Sequence, residues 1–137
     1  MLIDDEDAAK DCVGFLIRTG GAVLAERRAM TKPVMPGALS IPGGHVETGE
    51  SLDDALRREL KEELNIVPRQ FRLVGVYLHR SQELRRLHYF AIDAWDGEIE
   101  NHEAESLHWV PLDELGRLDL EVDRQAIGSW LATNRSY

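Results

Sequence analysis

Three glutamates in one short stretch, Glu59, Glu62 and Glu63 of RRELKEELNI, stand at spacings of three and four. Residues so spaced are neighbours on one helical face, where like charges repel by about 0.2–0.5 kcal/mol per pair. A chain that needed only a helix would place a lysine among them. Two readings are open: a solvated acidic face, or a cation held among the carboxylates. Hard divalent ions such as Mg²⁺ take oxygen ligands and fill their remaining positions with water and substrate phosphates. An ion that bridges phosphate oxygens neutralises charge and helps to generate a nucleophilic water. Just upstream, IPGGHVETGE is rich in glycine. Gly43 and Gly44 carry no Cβ, so their backbone groups can approach a metal or a phosphate closely.

The element that must carry the carboxylates is SLDDALRRELKEEL, the clearest helix in the chain. Ser51 suits the N-cap, with Asp54 in the capping-box position. Leu52, Leu56, Leu60 and Leu64 form an apolar stripe. At 100° per residue the stripe and the glutamate group lie roughly 90° apart. One shoulder therefore packs on a sheet while the next presents carboxylates, with small Ala55 close to them. Arg57 and Lys61 point the other way with Asp54, and Arg58 can brace one carboxylate. Asn65 falls where a helix often ends in a left-handed residue, which Asn tolerates well.

Around this helix, CVGFLIRTGGAVLAERR reads as two strands joined at Thr19-Gly20-Gly21. FRLVGVYLHR and RLHYFAIDAW read as strands around a charged turn at Ser81–Arg85, and SLHWVPL as a short strand that runs into a turn or helix at DELGRL. DRQAIGSWLAT reads as a final amphipathic helix, preceded by Asp123 as its N-cap. Residues 1–10 read as a loose acidic lead-in to a single domain over residues 1–137. Strands interrupted by one helix and closed by another predict an α+β layered domain, a mixed α/β/α sandwich.

The 137 residues suit one domain with a real core, and 43% hydrophobic with 30% charged residues is ordinary for a folded protein. The formal net charge of −9 argues against a nucleic-acid backbone as partner. It leaves room for a small phosphorylated ligand held through divalent ions. A single cysteine, Cys12, allows no internal disulfide and fits a reducing compartment. The apolar runs are too short to span a membrane, and the N-terminus has no signal-peptide pattern. A cytoplasmic protein is the expectation.

GGHVETGESLDDALRRELKEELNI resembles the signature of the Nudix hydrolases: Gly44, Glu50, Arg58-Glu59-Leu60, Glu62-Glu63 and Asn65-Ile66 fall on its positions. Asn65 stands where the family usually has Gly. The resemblance implies a Nudix-type mixed sheet flanked by helices. It also implies Mg²⁺-dependent hydrolysis of a nucleoside diphosphate linked to another group, with Mn²⁺ as a substitute ion. Glu59, Glu62 and Glu63 match the family's metal-ligand group, with the Gly43 carbonyl as an additional ligand. Glu50 and Arg58 match its bracing pair. A base or extra ligand outside the signature would come from Glu103 or Glu105 in NHEAESLHW. Glu103 has the spacing before the Trp that resembles nucleotide-sanitising members.

In the nucleoside-triphosphate branch an Arg at the end of the second strand contacts substrate phosphates. Arg28 aligns better than Arg27, and Lys32 is a weaker candidate. In the branch that cleans oxidised purine nucleotides, an Asn or Asp at the place of Asp123 hydrogen-bonds the base edge. Tyr77, His79, His88 and Tyr89 are candidates to line the base pocket. The second signatures of ADP-ribose, dinucleoside polyphosphate, NADH and coenzyme A hydrolases are absent. The reading is therefore a MutT-like pyrophosphohydrolase that converts a (d)NTP, canonical or oxidised, to nucleoside monophosphate and pyrophosphate. The alternatives are an ADP-ribose or nucleotide-sugar pyrophosphatase, and a nucleotide-binding module without turnover. Family members are often dimers, so a homodimer is a further expectation.

Overall fold

A computed structural model describes residues 9–133. Most of the loose lead-in expected at residues 1–10 lies outside these, and Lys10 already opens a strand. The elements in chain order are β1 (Lys10–Leu16), β2 (Arg18–Thr19), β3 (Ala22–Arg27), β4 (Leu39–Ser40), β5 (Gly43–His45), α1 (Leu52–Leu64), β6 (Val67–Arg80), β7 (Leu84–Asp96), β8 (Ser106–Pro111), a 3₁₀ turn (Leu115–Arg117) and α2 (Glu121–Thr133).

One sheet has the order β5-β1-β7-β6, with β1 and β7 parallel and the other pairs antiparallel. The second holds β2, β3 and β4, with β8 on the other side of β3. The expected hairpin at Gly20-Gly21 is real but short. Only Arg18 and Thr19 pair with β3, while β1 leaves for the other sheet. β1 is buried on both faces, and the alternation of its side chains fills two cores. Val13, Phe15 and Ile17 join Leu24, Phe90, Ile92 and the α1 leucines Leu56, Leu60 and Leu64. Leu16 joins Val23, Ala25, Tyr89, Ala91, Ile127 and Trp130 on the α2 side. The result is the mixed α/β/α sandwich expected from the pattern.

The ends of α1 follow the capping chemistry of the sequence. The Ser51 hydroxyl accepts from the Asp54 amide at 3.1 Å. Asn65 adopts φ 58°, and the Asn65 and Ile66 amides donate to the Lys61 and Leu60 carbonyls. The charged turn is shorter than expected, because β6 runs through Arg80 and β7 starts at Leu84. The last helix starts earlier than expected. Glu121 is its first residue, so Asp123 lies inside the first turn and is not its N-cap.

Candidate active site

α1 and the β5 loop meet through one guanidinium. Arg58 Nε and Nη2 donate to the two Glu50 oxygens at 2.8 and 2.9 Å. Nη1 donates to Glu59 at 2.9 Å and Glu62 at 3.1 Å, and Nη2 also reaches the His45 carbonyl at 2.9 Å. The sequence suggested that Arg58 braces one carboxylate; it hydrogen-bonds three, with a fourth, Glu47, at 3.7 Å, and ties the helix to the loop. These bonds, with the Glu47 amide, hold the Glu50 carboxyl down at about 2. Glu50 and Arg58 thus form the scaffold of the carboxylate wall.

The glycines make that wall possible. A Cβ on Gly44 would fall inside the Glu59 carboxylate, and one on Gly43 would overlap the Val13 carbonyl oxygen across the β1–β5 ladder. Gly44→Ala is therefore expected to displace Glu59. Displacements of this kind near reacting groups cost about 100-fold in rate. Steady-state kinetics on Gly44→Ala, beside its melting temperature, checks this: a folded variant with unchanged kcat would refute it.

Glu59, Glu62, Glu63, Gly43, Gly44, Glu103, Arg28, Lys32, His79 and Asp123 all line one cavity of about 550 Å³. Glu105 is not on its wall; its amide pairs with the Arg27 carbonyl. Arg27 turns outward to the Gly37 carbonyl, while Arg28 Nε anchors on the Val34 carbonyl and faces the cavity. Tyr77 is off the wall: its hydroxyl bonds Ser129 at 2.8 Å and its ring meets Tyr89 edge-on. His88 is engaged with Asp11 at 3.0 Å, also off the wall. Asp123 is buried, and both its oxygens have protein partners: the Ile41 amide at 3.0 Å and the Tyr89 hydroxyl. Burial raises its carboxyl to about 6 in spite of them. It fastens the β4–β5 connection and β7 to α2 at the cavity edge.

Glu26 is one of the wall residues that the sequence reading missed. Glu26, near the end of β3, is 7% exposed and lines the cavity. Burial pushes its carboxyl up to about 7. Strand alternation was the available signal, because a period of two puts Glu26 on the face of buried Leu24. Glu63 is 5% exposed, and its Oε2 is buried with no hydrogen-bond partner. Burial first, then the charges of Glu26, Glu59 and Glu103, raise it to about 10. Burial raises Glu59 as well. Among the described residues no three His, Cys, Asp or Glu side chains converge as a preformed cation cage. Glu59 and Glu62 each turn an oxygen to Arg58 instead. The donor set still fits a hard divalent ion: all oxygen, crowded with like charge, and with one buried oxygen left unpaired.

The NUDIX domain profile matches residues 9–131. The nucleoside triphosphatase NudI of Salmonella newport (strain SL254) is 34% identical over 120 residues, covering 78% of this chain and 85% of that one. The solved structure of a MutT NUDIX hydrolase from Burkholderia pseudomallei is 27% identical, with a TM-score of 0.79 over 88% of this chain and 97% of the other. The MutT protein from Methanosarcina mazei Go1 is 25% identical, with a TM-score of 0.78 over 93% of this chain and 96% of the other. The glycine-rich loop, the Arg58 scaffold and the carboxylate helix are thus set in a fold shared with these proteins, and the chain belongs to the Nudix family of phosphoanhydride hydrolases.

Proposed function

We propose that this protein hydrolyses a nucleoside triphosphate, canonical or oxidised, to nucleoside monophosphate and pyrophosphate with Mg²⁺. The observation that carries this reading is the carboxylate wall around the unpaired buried oxygen of Glu63, which faces a cavity that also holds Arg28 and Lys32. The likeness to a nucleoside triphosphatase over most of both chains favours a triphosphate over other diphosphates.

Glu59, Glu62, Glu63 and the Gly43 carbonyl would hold the ion, with Glu103 as a further ligand or as the base. When bound, Mg²⁺ neutralises phosphate oxygens and acidifies water. Arg58 keeps Glu59 and Glu62 in place through Glu50 and the loop. Arg28, braced on Val34, orients the phosphates, and Lys32 adds charge. Water attacks a phosphorus of the diphosphate bridge, and its proton passes to Glu103. The bond from that same phosphorus to the bridging oxygen breaks, and nucleoside monophosphate and pyrophosphate separate. Asp123 holds the base end of the cavity in shape and keeps a lone pair on each oxygen for a base N–H.

Chromatographic product analysis with Mg²⁺ tests this on a panel of canonical and oxidised triphosphates, ADP-ribose, nucleotide sugars and dinucleoside polyphosphates. Monophosphate plus pyrophosphate from triphosphates is the expected result. Turnover confined to ADP-ribose or a sugar nucleotide would overturn the triphosphate reading and keep the carboxylate helix.

A further inference from the structure

The cavity has a second polar group that phosphate chemistry does not use. It sits on the β6–β7 hairpin, where His79 and Arg85 are directly paired across the ladder. Both line the cavity, as do Cys12, Leu87 and Tyr89. The Arg85 side chain is 11% exposed. Its Nε donates to Glu83 Oε1 at 3.1 Å, and the same oxygen meets His45 Nε2 at 2.9 Å. Of the five guanidinium N–H donors only this one has a partner among the described residues. The Nε2 of His79 is buried and has no partner either.

The Arg85 terminal nitrogens are not among the buried atoms left without a partner, so they open to the cavity, where a ligand can replace water. Here Glu83 fixes the guanidinium at one edge, and its terminal nitrogens are left for a ligand. The same wall carries Leu87, Tyr89 and the Cys12 thiol, raised to about 11 by burial and so uncharged. Apolar walls beside a fork of donors suit a flat heteroaromatic ring with carbonyl acceptors better than a hydrated phosphate. The phosphates have their own cations in Arg28 and Lys32. A guanidinium fork bonds paired acceptors such as O6 and N7 of guanine, and it meets an exocyclic amino group donor to donor.

We propose that Arg85, positioned by Glu83, reads the base of the substrate and selects keto bases, guanine and thymine or uracil, over the amino bases adenine and cytosine. This rests on the reading that the substrate is a nucleotide. His79, with its unpartnered nitrogen, faces the same ring.

The test is kcat/KM for dGTP, dTTP, dATP and dCTP with wild type, Arg85→Met and Glu83→Gln. Wild type is expected to prefer the keto pair by about tenfold or more, the scale of one guanidinium–base pairing. Arg85→Met should bring the keto-to-amino ratio close to one, mainly through KM. Glu83→Gln, which keeps the cation and loosens its aim, should give a partial loss. Calorimetric binding of GMP and AMP separates this from the triphosphate reading. If no triphosphate is turned over, a GMP preference that Arg85→Met abolishes still supports Arg85 as the base reader. A wild type without keto preference, or an Arg85→Met variant that loses equally on all four bases, overturns it. The second result would make Arg85 a phosphate contact or a structural brace.

Discussion

Glu63→Gln is expected to lower kcat on the best substrate by about a thousandfold and, at the same time, to raise the melting temperature of the metal-free protein above pH 7. The first effect follows from the loss of a charged oxygen donor at the metal. Ion-held charge stabilisation is worth several kcal/mol, and each 1.36 kcal/mol is a factor of ten in rate. The second follows from burial. Glu63 is 5% exposed, crowded by Glu26, Glu59 and Glu103, and has an unpaired oxygen. A neutral amide of the same shape removes that strain. Glu62→Gln separates the two effects. Its carboxylate is half exposed and bonded to Arg58, so the variant loses turnover with no gain in metal-free stability. Kinetics at saturating Mg²⁺ and calorimetry in chelator check both. Wild-type turnover in Glu63→Gln would remove Glu63 from the metal site.

The parts of this site that the sequence revealed are those built from neighbours along the chain. α1 carries its caps, its leucine stripe and its glutamates within one stretch, and Gly43 and Gly44 precede it by a few residues. Helix geometry alone put the carboxylates on one shoulder, and the structure buries Glu59 and Glu63 there. What stayed hidden depends on pairing between distant strands. Asp123 looked like an N-cap because the residues before it carry no strong helix signal. Its actual partners, the Ile41 amide and the Tyr89 hydroxyl, come from the β4–β5 link and β7. Tyr77 and His79 share a face, yet only His79 reaches the cavity, because α2 covers Tyr77 through Ser129. Arg85 looked like part of an exposed charged turn. It is in fact the second residue of β7, paired with His79 and held by Glu83, which itself meets His45 of the glycine loop.

In chelator the melting temperature is expected to fall between about pH 5 and pH 8, and Mg²⁺ is expected to reverse the slope. Glu26 and Glu63 have folded carboxyls raised to about 7 and about 10, and burial raises Glu59 and Asp123 too. A group raised in the folded state binds its proton there after the unfolded chain has released it. Stability is then fully present below the ordinary carboxylate value near 4.5 and is lost as pH rises through the folded value. The opposing groups act elsewhere. Glu50, Glu83, Glu100 and Asp11 are lowered by their partners, so their contribution is complete before pH 5. His79, lowered by burial, adds only a small rise near its own range. At 1.36 kcal/mol per unit, the buried carboxylates together cost on the order of a few kcal/mol across the window, roughly 10 °C in melting temperature. A divalent ion binds the ionised form and displaces those protons, so its stabilisation grows with pH. Glu26→Gln should make the metal-free slope shallower between about pH 5 and pH 7, with Glu63 keeping the rest. Glu63→Gln should remove most of the Mg²⁺ response. A metal-free melting temperature that climbs through the same window would mean that these carboxylates already have cationic partners in the protein, and α1 would then hold no cation site.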